Sequence, residues 1–227
     1  MTAGVKDLIS TLIFDLDGTL ADTEKLHCRA YQKALAELGV TISATEYEHH
    51  WIRRGRNIHE YVEVQRLDID PDVVRVSKAA HFQRLAEASA EAMPGARSAL
   101  KCFAGRKRLA LATSSYRDAA QAVLGRLELA TFFEYIATKE QAERVKPAPD
   151  ILLHVARTLD VEAAACLVIE DSEKGVRAAA AAGMASIAIP NRQTAEHDFS
   201  AASVILDSLG ELTPEFLEYF EPNHISN

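Results

Sequence analysis

The chain has 227 residues, 48% hydrophobic and 26% charged, with a formal net charge of −8. That length suits one large domain, or a domain carrying a smaller insert, around an ordinary soluble core. The acidic balance argues against nucleic-acid or anionic-membrane partners, which need a basic face, yet it leaves room for a small phosphate ester, because a metal and a few cations reverse the field locally.

The three cysteines, Cys28, Cys102 and Cys166, are scattered and odd in number, with no CxxC pair. Neither a disulfide framework nor a zinc cluster is expected, and a reducing cytoplasm fits. The N-terminus has no signal-type stretch, and no apolar run approaches the ~18 residues of a membrane helix.

In chain order, the first apolar run is "TLIFD" at 11–15. Residues 22–92 then hold no convincing strand. Leu26, Ala30, Ala34, Leu35 and Leu38 form a stripe at helical spacing, closed by Gly39. Further helical patterns cover 44–52, 58–67 and 72–92, the last two separated by "DIDP" at 68–71. "MPGA" at 93–96 ends this stretch. Apolar runs resume at 108–113, 134–138, 166–171, 185–190 and 203–206. They are continuous rather than alternating, as expected for strands covered on both faces. Helices are predicted between them at 117–127, at 150–159 after Pro147 and Pro149, and at 173–182 before Gly183. The alternation predicts a doubly wound, Rossmann-like parallel sheet made of residues 1–21 and 93–227, with a helical insert at 22–92. The tail after Leu209 reads as one short helix and a frayed end.

In an open α/β sheet, ligands bind outside the carboxyl ends of the strands. The residues just past four of the runs are Asp15 and Asp17, then Thr113 and Ser114, then Lys146, then Glu170 and Asp171. Three like charges within "FDLDGTLAD" at 14–22 repel one another unless a cation, a proton or hydrogen-bond donors intervene. Carboxylates suit Mg²⁺, and a lysine with hydroxyl groups suits a phosphoryl group that carries transition-state charge. Each feature also has a plainer reading. Asp15 and Asp17 could form a turn, Thr113 and Ser114 could cap a helix, Lys146 could be a solvated loop residue, and Glu170 with Asp171 could favour a helix N-terminus. A calcium loop is excluded, since Gly18 comes too early and the twelfth position is Leu26.

"DLDGT" at 15–19, "LATSS" at 111–115, "KPAPD" at 146–150 and "IEDS" at 169–172 resemble, in order, the four motifs of the haloacid dehalogenase superfamily. The helical insert sits where that family carries a helical cap. Residues 21–35 are similar to the branch containing β-phosphoglucomutase and related sugar-phosphate phosphatases. The likeness runs from about residue 9 to 207. It implies Asp15 as nucleophile through an aspartyl phosphate, and Asp17 as the acid/base, which needs a raised pKa in at least one state. It implies Mg²⁺ held by Asp15, Asp171 and the Asp17 backbone carbonyl, with Glu170 in support. Thr113, Ser114 and Lys146 would hold the transferring group, and Thr19 would add a phosphate contact. His27 matches a histidine near the acid/base in the mutase branch. Among Arg53, Arg54 and Arg56, Arg54 is taken as the candidate for gripping a second phosphate or a sugar hydroxyl. An ordinary helix histidine and a solvated arginine face are the plainer readings. Lys78 is a weaker candidate for a contact from the insert. Asp22 is expected to N-cap the first helix.

The function expected from this resemblance is an Mg²⁺-dependent phosphatase of a small phosphorylated metabolite, acting as a monomer. Arg117 and Asp118 stand where the mutase branch has a lysine and an asparagine, which weakens the phosphomutase alternative. A receiver-like signalling domain needs neither the insert nor Asp17. A dehalogenase needs no acid for an alcohol leaving group.

Overall fold

The computed structural model describes residues 9–220. Six strands form one parallel sheet: β1 (Thr11–Phe14), β2 (Arg108–Ala112), β3 (Tyr135–Ala137), β4 (Cys166–Glu170), β5 (Ala185–Ala188) and β6 (Val204–Ile205). Their order is β3-β2-β1-β4-β5-β6, so the chain builds outward from β1 on one side, then returns to build on the other. The switch falls between β1 and β4, where the strand ends leave a crevice.

The two-sided cover explains the continuous apolar runs. Leu12 and Phe14 of β1, Leu109 and Leu111 of β2, and Leu167 and Ile169 of β4 face one core cluster. Their neighbours Ile13, Ala110, Ala112, Cys166 and Val168 face the other. The first face is covered by α5 (Ala96–Phe103) and α6 (Arg117–Leu127), through Leu100, Phe103, Val123 and Leu124. The second is covered by α7 (Asp150–Thr158) and α8 (Glu173–Ala181), through Ile151, Val155, Ala178 and Ala179. Gly183, at φ +70°, ends α8 as the sequence predicts. Helix α5 lies in a stretch where the sequence pattern gave only the end of the insert.

Between β1 and α5 the chain runs α1 (Glu24–Ala36), α2 (Ala44–Tyr47), a π-helical turn (Glu48–Arg53), α3 (Ile58–Gln65) and α4 (Pro71–Ser89). The predicted α1 stripe divides. Leu26 and Ala30 join the main core with Phe82 and Ala86 of α4, while Ala34 and Leu35 join a smaller cluster with Ile42, Tyr47, Ile58, Tyr61 and Val74. Leu38 is exposed, because the helix ends before it. "DIDP" is a helix start as well as a separator: the Asp70 side chain accepts from Asp72 N–H at 2.8 Å and Pro71 opens α4. The tail forms α9 (Pro214–Tyr219), and the expected frayed end at 221–227 lies outside the described residues. Among the described residues, no helix is long and apolar enough to cross a membrane.

Candidate active site

The parallel register sets the floor of the site. Phe14 pairs with Ile169 of β4 and Leu111 of β2, so the next residues, Asp15, Glu170 and Ala112, lie level across three strands. Asp15, Glu170 and Asp171 are all buried, and each offers one carboxylate oxygen within 4.8 Å of the others. Lys146, also buried, donates to Asp15 Oδ1 at 2.7 Å, to Glu170 Oε1 at 2.6 Å and to the Ala112 carbonyl at 2.8 Å. All three ammonium protons are thereby used. Burial alone would depress the Lys146 pKa, but the Asp15 and Glu170 charges overcome it and keep the lysine protonated.

Three carboxylates against one ammonium leave an excess of two negative charges in a buried site. Burial pushes Asp15 up to about 8, against the pull of Lys146. Asp171 is also held well above the carboxylate range, by burial and then by Glu170 and Asp15. A hard divalent cation matches both the donor set and the charge deficit. Asp15 and Asp171 are the residues that would hold it, with Glu170 behind them.

A pH dependence follows with a definite sign. The folded state retains protons on Asp15 that the unfolded chain releases near its ordinary value of 3.8, up to about pH 8. Without divalent metal, stability should therefore fall as pH rises across that window. Urea midpoints in EDTA at pH 5 and pH 8 check this: the midpoint should be lower at pH 8, and Mg²⁺ should raise it more at pH 8 than at pH 5. Equal or higher midpoints at pH 8 in EDTA contradict the assignment.

Glu170 is engaged on its other oxygen as well. Oε2 accepts from the Ser172 hydroxyl at 3.0 Å and from the Asp171 and Ser172 N–H groups at 3.2 and 3.3 Å. Its carboxylate fills the space beside Gly175 in α8, where an added Cβ would lie 1.8 Å from the Glu170 carboxyl carbon. Alanine would favour the helix by about 1 kcal/mol. With Glu170 held at both oxygens, overpacking costs about 1–3 kcal/mol and dominates. Gly175→Ala should thus lower Tm, and an unchanged or raised Tm in a thermal melt contradicts the close packing described.

Asp17 departs from the expectation of a raised pKa. Its Oδ1 accepts from Thr23 Oγ1 at 2.6 Å and lies 3.3 Å from His27 Nε2. Its Oδ2 accepts from Ser115 Oγ at 2.7 Å and Thr113 Oγ1 at 3.2 Å. Burial raises its pKa, but the bonds from His27, Thr23 and Ser115 overcome burial and hold it below the usual carboxylate range. In this arrangement Asp17 is an anion gripped by four donors. Its carboxylate does not join the acidic cluster.

Several other residues stand elsewhere than expected. Thr19 is buried and donates to Asp171 Oδ1 at 3.3 Å, so it supports a carboxylate instead of lining the cleft. His27 does stand near Asp17, as the resemblance implies, and it does so without lining the cleft: its ring stacks on Phe82 at 4.0 Å, and Nδ1 lies 2.8 Å from Lys78 Nζ. A protonated lysine only donates, so Nδ1 accepts and Nε2–H points to Asp17. Burial pushes the Lys78 pKa down to about 8, against the charges of Asp17 and Glu24. Ser114 is exposed at the cleft, and it is Ser115 that holds Asp17. Asp22 does not cap α1. It pairs with Lys25 at 3.1 Å, and the N-cap position is Thr23, whose hydroxyl goes to Asp17 instead.

The cleft above the acids has a volume of about 690 Å³, within the range of small-molecule sites. Asp15, Asp17, Thr113, Ser114 and Lys146 line one side. Trp51, Ile52, Arg53 and Arg54, from the π-helical turn and the residue after it, line the other. Arg54 is exposed there and makes no ion pair among the described residues, whereas Arg53 is paired with Glu48 and Glu196. Lys174 Nζ donates to the Gly55 carbonyl at 2.7 Å, which ties the insert to the start of α8.

Together these features define an α/β protein with a carboxylate-built pocket at the switch point of a Rossmann-like sheet. Residues 12–189 match the family of haloacid dehalogenase-like hydrolases, and the chain belongs to that family. It is 31% identical over 181 residues to fructose-1-phosphate phosphatase YqaB of Escherichia coli, covering 78% of this chain and 94% of the relative. It is 33% identical over 186 residues to a phosphorylated carbohydrates phosphatase of Thermotoga maritima, covering 79% and 84%. The structure of CbbY from Rhodobacter sphaeroides in complex with phosphate superposes with a TM-score of 0.81 at 29% identity, over 90% of this chain and 96% of that one. β-Phosphoglucomutase from Clostridium difficile gives 0.76 at 25% identity, over 92% and 96%. The chain is an enzyme of this family's phosphatase type, in its CbbY and β-phosphoglucomutase-like branch.

Proposed function

We propose that this chain is an Mg²⁺-dependent phosphatase that hydrolyses a small phosphorylated sugar through an aspartyl phosphate on Asp15. The observation that carries the reading is the pairing of two aspartates at one cleft with opposite environments. Asp15 lies in the acidic cluster on Lys146, and Asp17 lies in a cage of donors from Thr23, His27, Thr113 and Ser115. Bound at Asp15 and Asp171, with the Asp17 carbonyl, Mg²⁺ would draw negative charge from the phosphoryl oxygens.

Lys146 holds Asp15 by Oδ1, which leaves Oδ2 as the oxygen to attack phosphorus in line. The bond from phosphorus to the sugar oxygen breaks, and Asp17 supplies the proton to that oxygen. Water then attacks the aspartyl phosphate as Asp17 takes a proton back. To carry a proton, Asp17 must leave part of its donor cage, and Thr23 with the Lys78–His27 pair is the part contributed by the insert. Thr113 and Ser114 would contact the transferring group, and Arg54 would meet the sugar or a second anionic group from across the cleft.

In this reading residues 22–92 act as a cap on a core of residues 1–21 and 93–227. One chain supplies every group invoked, so a monomer suffices, and the free cysteines suit the reducing cytoplasm. The phosphatases among the relatives support hydrolysis, and the likeness to β-phosphoglucomutase makes phosphoryl transfer between sugar hydroxyls the competing outcome. A panel of hexose and pentose phosphates with Mg²⁺, followed for both free phosphate and isomerised ester, separates the two. Phosphate release equal to substrate loss is expected. Isomerisation without net phosphate release overturns hydrolysis in favour of a mutase.

A further inference from the structure

We propose that Asn191 is a positioning residue that fixes the carboxylate of Asp171 for the cation while leaving its charge intact. The inference rests on the Mg²⁺ reading above. Asn191 follows β5, on a third segment of the chain that meets the ends of β1 and β4. Its Nδ2 donates to Asp171 Oδ2 at 2.7 Å and to the Gly18 carbonyl at 3.2 Å.

The amide has one orientation. Oδ1 accepts the Gln193 N–H at 2.8 Å and the Thr194 N–H at 3.2 Å. The Asn191 N–H donates to Thr194 Oγ1 at 3.0 Å, which closes the turn. A flipped amide would set its NH₂ against two N–H donors and its oxygen against a carbonyl and a carboxylate. The NH₂ is therefore committed to Gly18 and Asp171.

From the other side, Thr19 Oγ1 reaches Asp171 Oδ1 at 3.3 Å. Gly18 makes the approach possible: at φ +83°, an added Cβ would lie 2.3 Å from Asp171 Oδ2 and 2.9 Å from Asn191 Nδ2. The choice of asparagine over a cation has a consequence. Lysine or arginine at 191 would satisfy the carboxylate and cancel the charge that draws a metal. A neutral amide restrains Asp171 and leaves its charge for the ion. Outer contacts of this kind orient metal ligands.

The test is calorimetric titration of MgCl₂ into the full-length wild type and the variants N191A, N191S and D171N, with phosphate release measured against Mg²⁺ concentration. Serine can form the same turn more weakly but is too short to reach Asp171, so N191S keeps the loop if alanine unfolds it. Both Asn191 variants should bind Mg²⁺ about tenfold more weakly. Their half-saturating Mg²⁺ for turnover should rise by the same factor, with kcat returning to within about threefold of wild type at saturation. A general structural defect would not be recovered by added Mg²⁺, so a kcat loss that persists at saturation overturns the proposal. So does N191S binding Mg²⁺ within about twofold of wild type while D171N binds weakly. If D171N itself binds like wild type, the Mg²⁺ reading falls instead.

Discussion

Asp15→Asn should give a folded protein whose turnover of phosphate esters is lost by at least about 10⁴-fold, the scale seen when a covalent nucleophile is removed. The amide is nearly the same shape, and its oxygen can still accept the Lys146 bond that Asp15 Oδ1 accepts at 2.7 Å. It cannot attack phosphorus as a carboxylate does. The same change removes one of three crowded buried carboxylates, so in EDTA near pH 8 the variant should be no less stable than wild type. Turnover within about tenfold of wild type overturns the nucleophile assignment. A collapse in stability overturns the account of the charge excess.

Lys146→Met should be the most destabilising single substitution at the floor of the site. Lys146 is buried, and its three protons go to Asp15, Glu170 and the Ala112 carbonyl. Methionine fills much of the same space, so packing is largely kept. What remains is Glu170 at 1% exposure with no counter-ion, and Asp15 beside it. Breaking a buried pair by deleting one partner costs about 3–5 kcal/mol. At about 2–4 °C per kcal/mol for a chain of this size, Tm should fall by at least about 6 °C. Turnover should vanish as well, because Asp15 loses the contact that orients it. Arginine should not rescue, since its planar fork is larger than the ammonium pocket. A melt within about 2 °C of wild type shows that Lys146 does not neutralise the acids.

The sheet and the acidic floor were legible in the sequence because each depends on local pattern. Continuous runs such as "CLVIE" follow from cover on both faces, and the register β1–β4 then brings Asp15 beside Glu170 without further information. The misplacements have physical causes. Thr113 and Ser115 bond the same Asp17 oxygen because the chain bends just past β2, where the Ser115 N–H donates back to Thr113 Oγ1 at 3.0 Å and brings the two hydroxyls together. That bend leaves Ser114 exposed at the cleft and turns Ser115 toward Asp17. Thr23 was hidden by a competing rule. Both Asp22 and Thr23 are N-cap residues by type, and only the fold shows that Asp17 claims the threonine hydroxyl. The depressed pKa of Asp17 could not be foreseen from the crowding of aspartates, since His27 and Ser115 come from 10 and 98 residues away. Asn191 left no motif at all. Its role depends on a contact across 20 residues with Asp171 and 173 with Gly18.

The most direct test is to trap the phosphoryl-enzyme. Wild type is mixed with ³²P-labelled sugar phosphate and Mg²⁺, quenched in acid within milliseconds, digested, and its labelled peptide sequenced. The account predicts an acid-stable, hydroxylamine-labile label on the peptide carrying Asp15, absent in Asp15→Asn and absent when Mg²⁺ is replaced by EDTA. Steady hydrolysis with no label on Asp15, or label on another residue, would contradict it.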